Sequence, residues 1–95
     1  MPIPREIQDR DDLLTSAITE AERARGLFPQ PSPVLLALVE EAGEIVKACL
    51  DYRQGRAVSA DILKEVVQTI AMCLRLAQEG DPINGVPRLL EEVFE

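Results

Sequence analysis

Three long stretches of this 95-residue sequence repeat apolar residues at spacings of three and four, the period of an α-helix. These stretches cover about residues 6–25, 33–53 and 59–79. Residues that end helices or cannot continue them lie between the stretches: Gly26, Pro29, Pro31, Gly55 and Gly80. No segment alternates apolar and polar residues as a half-buried strand does. The pattern predicts an all-α fold of three long helices, with a short fourth helix over about residues 87–94.

The length of the chain allows one domain, over residues 1–95, and is too short for two independent cores. Aromatic residues make up only 3% of the sequence, so the core has to be built from Leu, Ile, Val and Ala. A helical subunit of this size commonly buries part of its apolar surface against another subunit. We therefore expect a helical bundle that is completed by oligomerisation, as a homodimer or homotetramer.

The charge of the chain excludes some partners. Ten basic and 17 acidic residues give a net charge of −7, which repels phosphate backbones, so we expect no nucleic-acid partner. No run of about 18 apolar residues and no signal-peptide pattern is present, so we expect no membrane partner and a cytoplasmic protein. Cys49 and Cys73 are too few for a zinc cluster and are predicted to be buried free thiols.

The second and third helices are predicted to form a central antiparallel hairpin over about residues 33–79, with its turn near Gln54. Ser32 before Pro33 is typical of a helix start, and Ser59 is predicted to cap the third helix. Such a hairpin brings Glu41 level with Gln68. It likewise brings Glu44 level with Glu65. Each residue of these pairs lies at the edge of its helix's apolar face.

Three carboxylates and one amide at one level repel each other unless a cation lies between them. This arrangement predicts a divalent metal site between the two helices. The alternative is that both acidic stripes point to solvent, as glutamate-rich helix faces usually do. Periodicity alone permits either orientation.

The same residues resemble a known family. Glu41-Ala42-Gly43-Glu44 followed by Glu65-Val66-Val67-Gln68 is similar to the signature of the MazG-like all-α nucleoside triphosphate pyrophosphohydrolases. That signature is Glu-x-x-Glu on one helix and Glu-x-x-Asp on the next. The resemblance covers about residues 34–80, and Gln68 stands where the family has Asp.

The resemblance implies Mg²⁺-dependent hydrolysis of a nucleoside triphosphate to a nucleoside monophosphate and pyrophosphate, with Mn²⁺ as a substitute ion. It implies Glu41, Glu44 and Glu65 as catalytic residues, and these three with Gln68 as metal ligands. One of the carboxylates, or the neighbouring Glu40, would orient or deprotonate the attacking water. Mg²⁺ prefers oxygen ligands and would also bridge an acidic protein to a triphosphate.

Gln68 leaves a second interpretation open. An amide oxygen can ligate Mg²⁺, but it carries no negative charge and cannot act as a base. The alternative is therefore a non-catalytic MazG-like subunit, or a nucleotide- or metal-binding module with a weakened site. A third interpretation is a helical interaction protein without any nucleotide ligand. The sequence does not identify the base or sugar of a nucleotide.

Charged residues outside the motif are given simpler interpretations. Asp61 either adds to the acidic stripe or, as an acidic residue in a first helical turn, stabilises the start of the third helix. Arg53 and Arg56 lie at the turn, where they could meet phosphate. Three further basic residues are predicted to lie on solvated back faces: Lys47, Lys64 and Arg75.

Overall fold

The computed structural model describes residues 5–90, and of Glu6 and Ile7 it describes the backbone alone. Its helices are α1 (Arg5–Leu27), α2 (Val34–Arg53) and α3 (Ser59–Glu79), followed by a 3₁₀ turn at Pro82–Asn84. Between residues 5 and 90 the only strand-like feature is an isolated bridge that pairs Asp81 with Val86. The predicted all-α fold is confirmed. Of the predicted fourth helix, residues 89 and 90 are helical and residues 91–94 lie outside the described part.

The central helix is α3, which packs against both α1 and α2. The helices α2 and α3 form the predicted hairpin, because a short turn over residues 54–58 joins them. Gly55 has a φ of 74° in this turn, a backbone conformation that glycine adopts without steric cost. None of the helices in the described residues is long and apolar enough to cross a membrane.

Small side chains form the buried side of α1. Ala17, Ala21 and Ala24 are buried at spacings of four and three, which places them on one face of the helix. Leu14 and Ile18, although larger, are 44% and 54% exposed. Because alanine projects only a methyl group, this face lets α1 approach α3 closely.

The starts of α2 and α3 are capped by aspartates and not by the predicted serines. Neither Ser32 nor Ser59 provides a side-chain cap. Asp81, which is fully buried, accepts a 2.8 Å hydrogen bond from the Leu35 N–H at the start of α2. Asp61 accepts a 2.9 Å hydrogen bond from the Val58 N–H just before α3. A carboxylate satisfies these free helix N–H groups as a serine hydroxyl would, with an added charge.

The carboxylate of Asp81 is also held by its own turn. The backbone and side-chain amides of Asn84 donate to it at 3.1 and 2.9 Å. These bonds, with the one from Leu35 as the largest cause, hold the pKa of Asp81 below its ordinary value. Asp81 therefore remains charged and connects the segment after α3 to the start of α2.

Two predictions about burial are wrong. Arg75 was predicted on a solvated back face but is 1% exposed, and it donates to both carboxylate oxygens of Glu79 at 2.9 Å. Its guanidinium also donates to the Phe28 carbonyl oxygen at 2.8 Å. Conversely, Cys49 and Cys73 were predicted to be buried and are exposed. Both errors have one cause, since the faces that α2 and α3 bury are rotated from those expected.

Candidate metal and nucleotide site

The hairpin brings Glu41, Glu65 and Gln68 into direct contact. With the Gln68 amide oriented by its hydrogen-bond partners, its nitrogen donates to Glu41 Oε2 at 3.0 Å and to Glu65 Oε2 at 3.1 Å. Glu41 lies on α2, and the other two residues lie one turn apart on α3. All three are partly buried. Glu41 and Gln68, which were predicted to lie at the same level of the hairpin, are thus in contact.

The surroundings of Glu41 disfavour its ionised form. Burial raises the pKa of Glu41 above its ordinary value. The negative charge of Glu65 and a hydrogen bond with it raise it further, and Glu44 and Glu20 add smaller effects. Among the described residues, no cationic side chain is a main cause of the shift in the pKa of Glu41. Glu41 and Glu65, called here the carboxylate pair, are therefore bridged by a neutral amide.

The spacing of the three side chains suits a hard cation. Turning the Gln68 amide by 180° places its oxygen where its nitrogen lies, about 3 Å from both carboxylate oxygens. An octahedral Mg²⁺ with bonds of about 2.1 Å sets neighbouring ligand oxygens about 3.0 Å apart. Proteins commonly hold Mg²⁺ with one or two carboxylates, while waters and substrate phosphates supply the remaining ligands. The donor set of this site fits that pattern.

Glu44 is placed differently from the other predicted ligands. It is exposed, and within residues 5–90 no three acidic, cysteine or histidine side chains form a group that could hold a metal. Glu44 instead lines, together with Glu65, a cavity of about 250 Å³ at the turn end of the hairpin. Other charged residues line the same cavity: Lys47, Asp51, Arg56 and Asp61. Glu44 thus lies beside the carboxylate pair and is not bridged to it.

The basic residues near the turn differ in their partners. Lys47 is exposed, as predicted, and donates to Asp51 at 3.0 Å. Lys64 and Arg53 are exposed as well. The exposed Arg56 has no side-chain partner within the described residues and lines the same cavity as Glu44 and Glu65.

On the other side of the carboxylate pair lies a larger cavity of about 320 Å³. Glu41 and Gln68 form one wall of it, and Glu40 also lines it. The remaining wall is largely apolar and comes from all three helices and the α1–α2 connection: Ala24, Phe28, Leu36, Ala37, Ala71 and Met72. An aromatic side chain beside Met72 can stack on a flat ring, so the cavity suits an apolar or aromatic group next to the carboxylates.

Residues of α1 that the sequence analysis did not connect with the site also face this cavity. Glu20 and Arg23 line it and are joined by a 2.8 Å hydrogen bond from Arg23 Nε. Arg23 holds the pKa of Glu20 below its ordinary value. A Glu–Arg pair three residues apart is common on solvated helix surfaces, so the sequence carried no signal that would have identified it.

Comparison of the chain with protein-family models, with curated proteins and with solved structures finds no match. The resemblance to the MazG-like family accordingly depends on the motif residues themselves and stays a prediction.

Proposed function

We propose that the chain is a Mg²⁺-dependent nucleotide pyrophosphohydrolase, which hydrolyses a nucleoside triphosphate to a nucleoside monophosphate and pyrophosphate. The observation that carries the proposal is the convergence of Glu41 and Glu65 on Gln68, each about 3 Å from its amide, with Glu41 and Gln68 in the wall of a largely apolar cavity. A nucleotide has the two parts that such a site would take, a flat base and a chain of phosphates. A protein of this function would work in the cytoplasm, where nucleotides and Mg²⁺ are both present.

In this proposal the carboxylate pair and the Gln68 oxygen would hold the metal ion. The ion would supply charge neutralisation for the phosphates and polarisation of the phosphoryl group. Phe28 and Met72 would bind the base in the larger cavity, while Arg56 would approach the phosphates from the turn end of the hairpin. The two cavities lie on either side of the carboxylate pair, which suits a substrate that extends past the metal.

The proposed reaction needs a group that accepts a proton. A water oxygen forms a bond to the α-phosphorus, the bond from that phosphorus to the bridging oxygen breaks, and pyrophosphate leaves. Glu44 is exposed beside Glu65 and is not engaged by Gln68, so we propose that its carboxylate accepts the proton of the attacking water. Glu44 would then have the catalytic role, and Glu41 and Glu65 chiefly that of ligands.

One observation favours a second candidate function. The Gln68 amide donates to both carboxylates, so the carboxylate pair is hydrogen-bonded even without a metal. This arrangement is consistent with a non-catalytic MazG-like subunit, or with a module that binds nucleotide or metal weakly. In that case the Gln68 amide, by donating to both carboxylates, would take the place of the metal ion itself and not act as one of its ligands.

Turnover of a nucleoside triphosphate panel with Mg²⁺ or Mn²⁺ tests the two functions. We expect pyrophosphate release that Glu65→Gln abolishes and that Glu44→Gln reduces while metal binding, measured by calorimetry, persists. The exposed Glu22→Gln on α1 is the matched control and should leave the rate unchanged. Metal or nucleotide binding without turnover would favour the second function, and neither binding nor turnover would contradict both.

A further inference from the structure

The outward side of α2 carries a continuous apolar stripe. Its members recur at spacings of three, four, three and four, which places them on one face of the helix: Leu36, Val39, Gly43, Val46 and Leu50. The four side chains are 57%, 70%, 59% and 51% exposed, and Gly43 is exposed as well. This set is called the outer stripe below.

The opposite side of α2 is the one that packs against α3. It carries its own row of buried and half-buried residues: Val34, Leu38, Glu41, Ile45 and Ala48. The helix is therefore apolar on two opposite faces, and only one of them is covered within the described residues. A surface helix of a monomer has one apolar face, whereas a helix that is apolar on both sides is normally buried between partners.

The accessible area of the chain agrees with an uncovered face. The area is 6740 Å². A compact monomer of 10.5 kDa has about 5,400 Å². The excess, about 1,300 Å², is larger than the roughly 800 Å² that each partner buries in a stable interface of standard size.

Gly43 lies at the centre of the outer stripe, and no contact among residues 5–90 explains why it is a glycine. It is not among the glycines with positive φ, so its backbone conformation suits any residue. A Cβ built on it would meet no atom within 4 Å. Glycine inside a helix is destabilising relative to alanine. A second helix that crosses closely at this point would require the missing side chain.

We propose that a second copy of this chain packs on the outer stripe, with a twofold axis that passes near Gly43. The stripe reads Leu, Val, Gly, Val, Leu in both directions, and a twofold interface has to be complementary to itself. Antiparallel packing about Gly43 sets Leu36 of one copy against Leu50 of the other.

Charges beside the stripe agree with the same arrangement. Glu40 and Lys47 are exposed on one side of it, three residues before and four residues after Gly43. The twofold axis therefore brings Glu40 of each copy near Lys47 of the other, and opposite charges face each other twice.

The interface borders the larger cavity of the candidate site. Leu36 belongs to the outer stripe and also lines that cavity, as does the adjacent Glu40. A second copy would thus cover the rim of the cavity nearest to α2. The interface itself depends only on the outer stripe and its flanking charges, so it stands whether or not the site hydrolyses nucleotides.

Sedimentation velocity of the whole chain tests the interface. We expect a dimer at micromolar concentration and at least a tenfold rise in the dimer dissociation constant for Val46→Glu, with the helical circular dichroism retained. The control Ile83→Glu alters an equally exposed apolar residue, 56% exposed, outside the stripe and should leave the constant within twofold. A monomeric wild-type protein at 100 μM, or an undiminished dimer of Val46→Glu, would overturn the proposal.

Gly43→Ala gives a second test with opposite expected signs. At concentrations where the chain is monomeric its melting temperature should rise, because alanine favours the helix. Its dimer dissociation constant should nevertheless rise several-fold, because the added methyl separates the helices. Gly26→Ala in α1 is the matched control, since a Cβ there also meets nothing within 4 Å, and it should leave dimerisation unchanged. Equal or tighter dimerisation of Gly43→Ala would contradict a close crossing.

A cross-link locates the axis. In a Cys49→Ser, Cys73→Ser background, Gly43→Cys should form a disulfide between two copies on mild oxidation. Ser59→Cys, exposed at the start of α3, should not. A dimer that persists without the Gly43→Cys cross-link would overturn the proposed axis.

Discussion

The carboxylates beside the two halves of α3 have opposite electrostatic surroundings: the pKa of Glu79 is lowered, and that of Glu41, which faces α3, is raised. At the carboxyl end of α3, Glu79 accepts hydrogen bonds from Arg75 at 2.9 Å, from Arg25 at 3.0 Å and from Gln30 at 3.1 Å. Arg75 is the largest cause that lowers the pKa of Glu79 to about 2. Arg25, Arg75 and Glu79 are called the arginine cluster below. It joins α1, α3 and, through Gln30, the segment before α2.

Beside the first half of α3, Glu41 of the carboxylate pair has no such compensation: no cationic side chain of the described residues is among the main causes of its pKa shift, although the charge of Lys47 interacts with that of Glu65. Glu41 has a raised pKa where Glu79 has a lowered one, although the two residues are chemically identical. The difference lies in the neighbours, since arginines surround one carboxylate and other acids surround the other. Glu79 accepts hydrogen bonds from two arginines and one glutamine, which are the partners that a partly buried carboxylate with a structural role requires. Glu41 has no such partners, which is consistent with the metal site proposed above.

Removing a positive charge from the arginine cluster should give the largest change in the free energy of unfolding. Arg75→Met leaves Glu79 partly buried, so we expect the free energy of unfolding to fall by about 3 kcal/mol. Urea denaturation measures the change. Arg23→Met, which breaks the more exposed pair with Glu20, is the control and should cost much less, because exposed ion pairs contribute little to stability. Similar losses in both variants would show that the cluster does not hold the fold together.

The arginine cluster should also set the response to acid. The pKa of Glu79 is about 2 in the fold and 4.5 ordinarily, so its stabilisation is fully present above pH 4.5. It is lost as the pH falls toward 2. Glu79→Gln should therefore lower stability at pH 7 by about 2 kcal/mol, with solvent screening taken into account, and flatten the decline below pH 4.5. Parallel pH profiles of the two proteins would contradict this assignment.

Adding a negative charge should have different effects at the carboxylate pair and at the arginine cluster. Gln68→Asp places a third carboxylate beside Glu41 and Glu65, so without metal we expect a loss of about 1 kcal/mol. With Mg²⁺ or Mn²⁺ its metal affinity should rise several-fold, because ligand charge governs the affinity for hard cations. Gln78→Asp is the matched control, because Gln78 accepts a hydrogen bond from Arg25. It should not destabilise. Thermal melts and calorimetry with metal measure both effects, and unchanged values for Gln68→Asp would exclude Gln68 from the site.

The smallest effect is expected from removing one charge of the carboxylate pair. A raised pKa means that ionising Glu41 costs stability as the pH rises above 4.5. Glu41→Gln should thus gain a few tenths of a kcal/mol at pH 7 without metal, and nothing at pH 4. The exposed neighbour Glu40→Gln should show neither change. If both variants were stabilised to the same extent, the gain would come from the smaller net negative charge of the chain and not from less repulsion within the carboxylate pair.

The sequence was sufficient for the helices and for the register of the hairpin. Apolar periodicity and the glycines placed α2 and α3 within a residue or two of their observed ends. The prediction that Glu41 and Gln68 lie opposite each other came from the hairpin geometry alone, because the position of the short turn sets the register of two antiparallel helices. The contact at 3.0 Å is the result of that register.

The sequence did not determine which faces are buried or what caps the helices. α2 has apolar residues on opposite sides, so helical periodicity could not select between them. Asp81 caps a helix that begins 47 residues earlier, and such a contact depends on the tertiary fold. Arg75 is buried because Glu79 and the Phe28 carbonyl oxygen satisfy it. Glu79 is a local i,i+4 partner, but the Phe28 carbonyl oxygen lies 47 residues away and cannot be identified from the local sequence.

The bond from Leu35 to Asp81 has a consequence for how the hairpin opens. The α2–α3 hairpin is fastened at both ends, by the peptide chain at one end and by a buried carboxylate at the other. Gly80 keeps this closure tight, since a side chain there would strike the backbone of Val86 and Pro87. Fraying of the first turn of α2 has to break the Leu35–Asp81 bond and so leaves a buried carboxylate with one partner fewer. We therefore expect the amide protons at the start of α2 and in the segment after α3 to exchange together, as one cooperative unit.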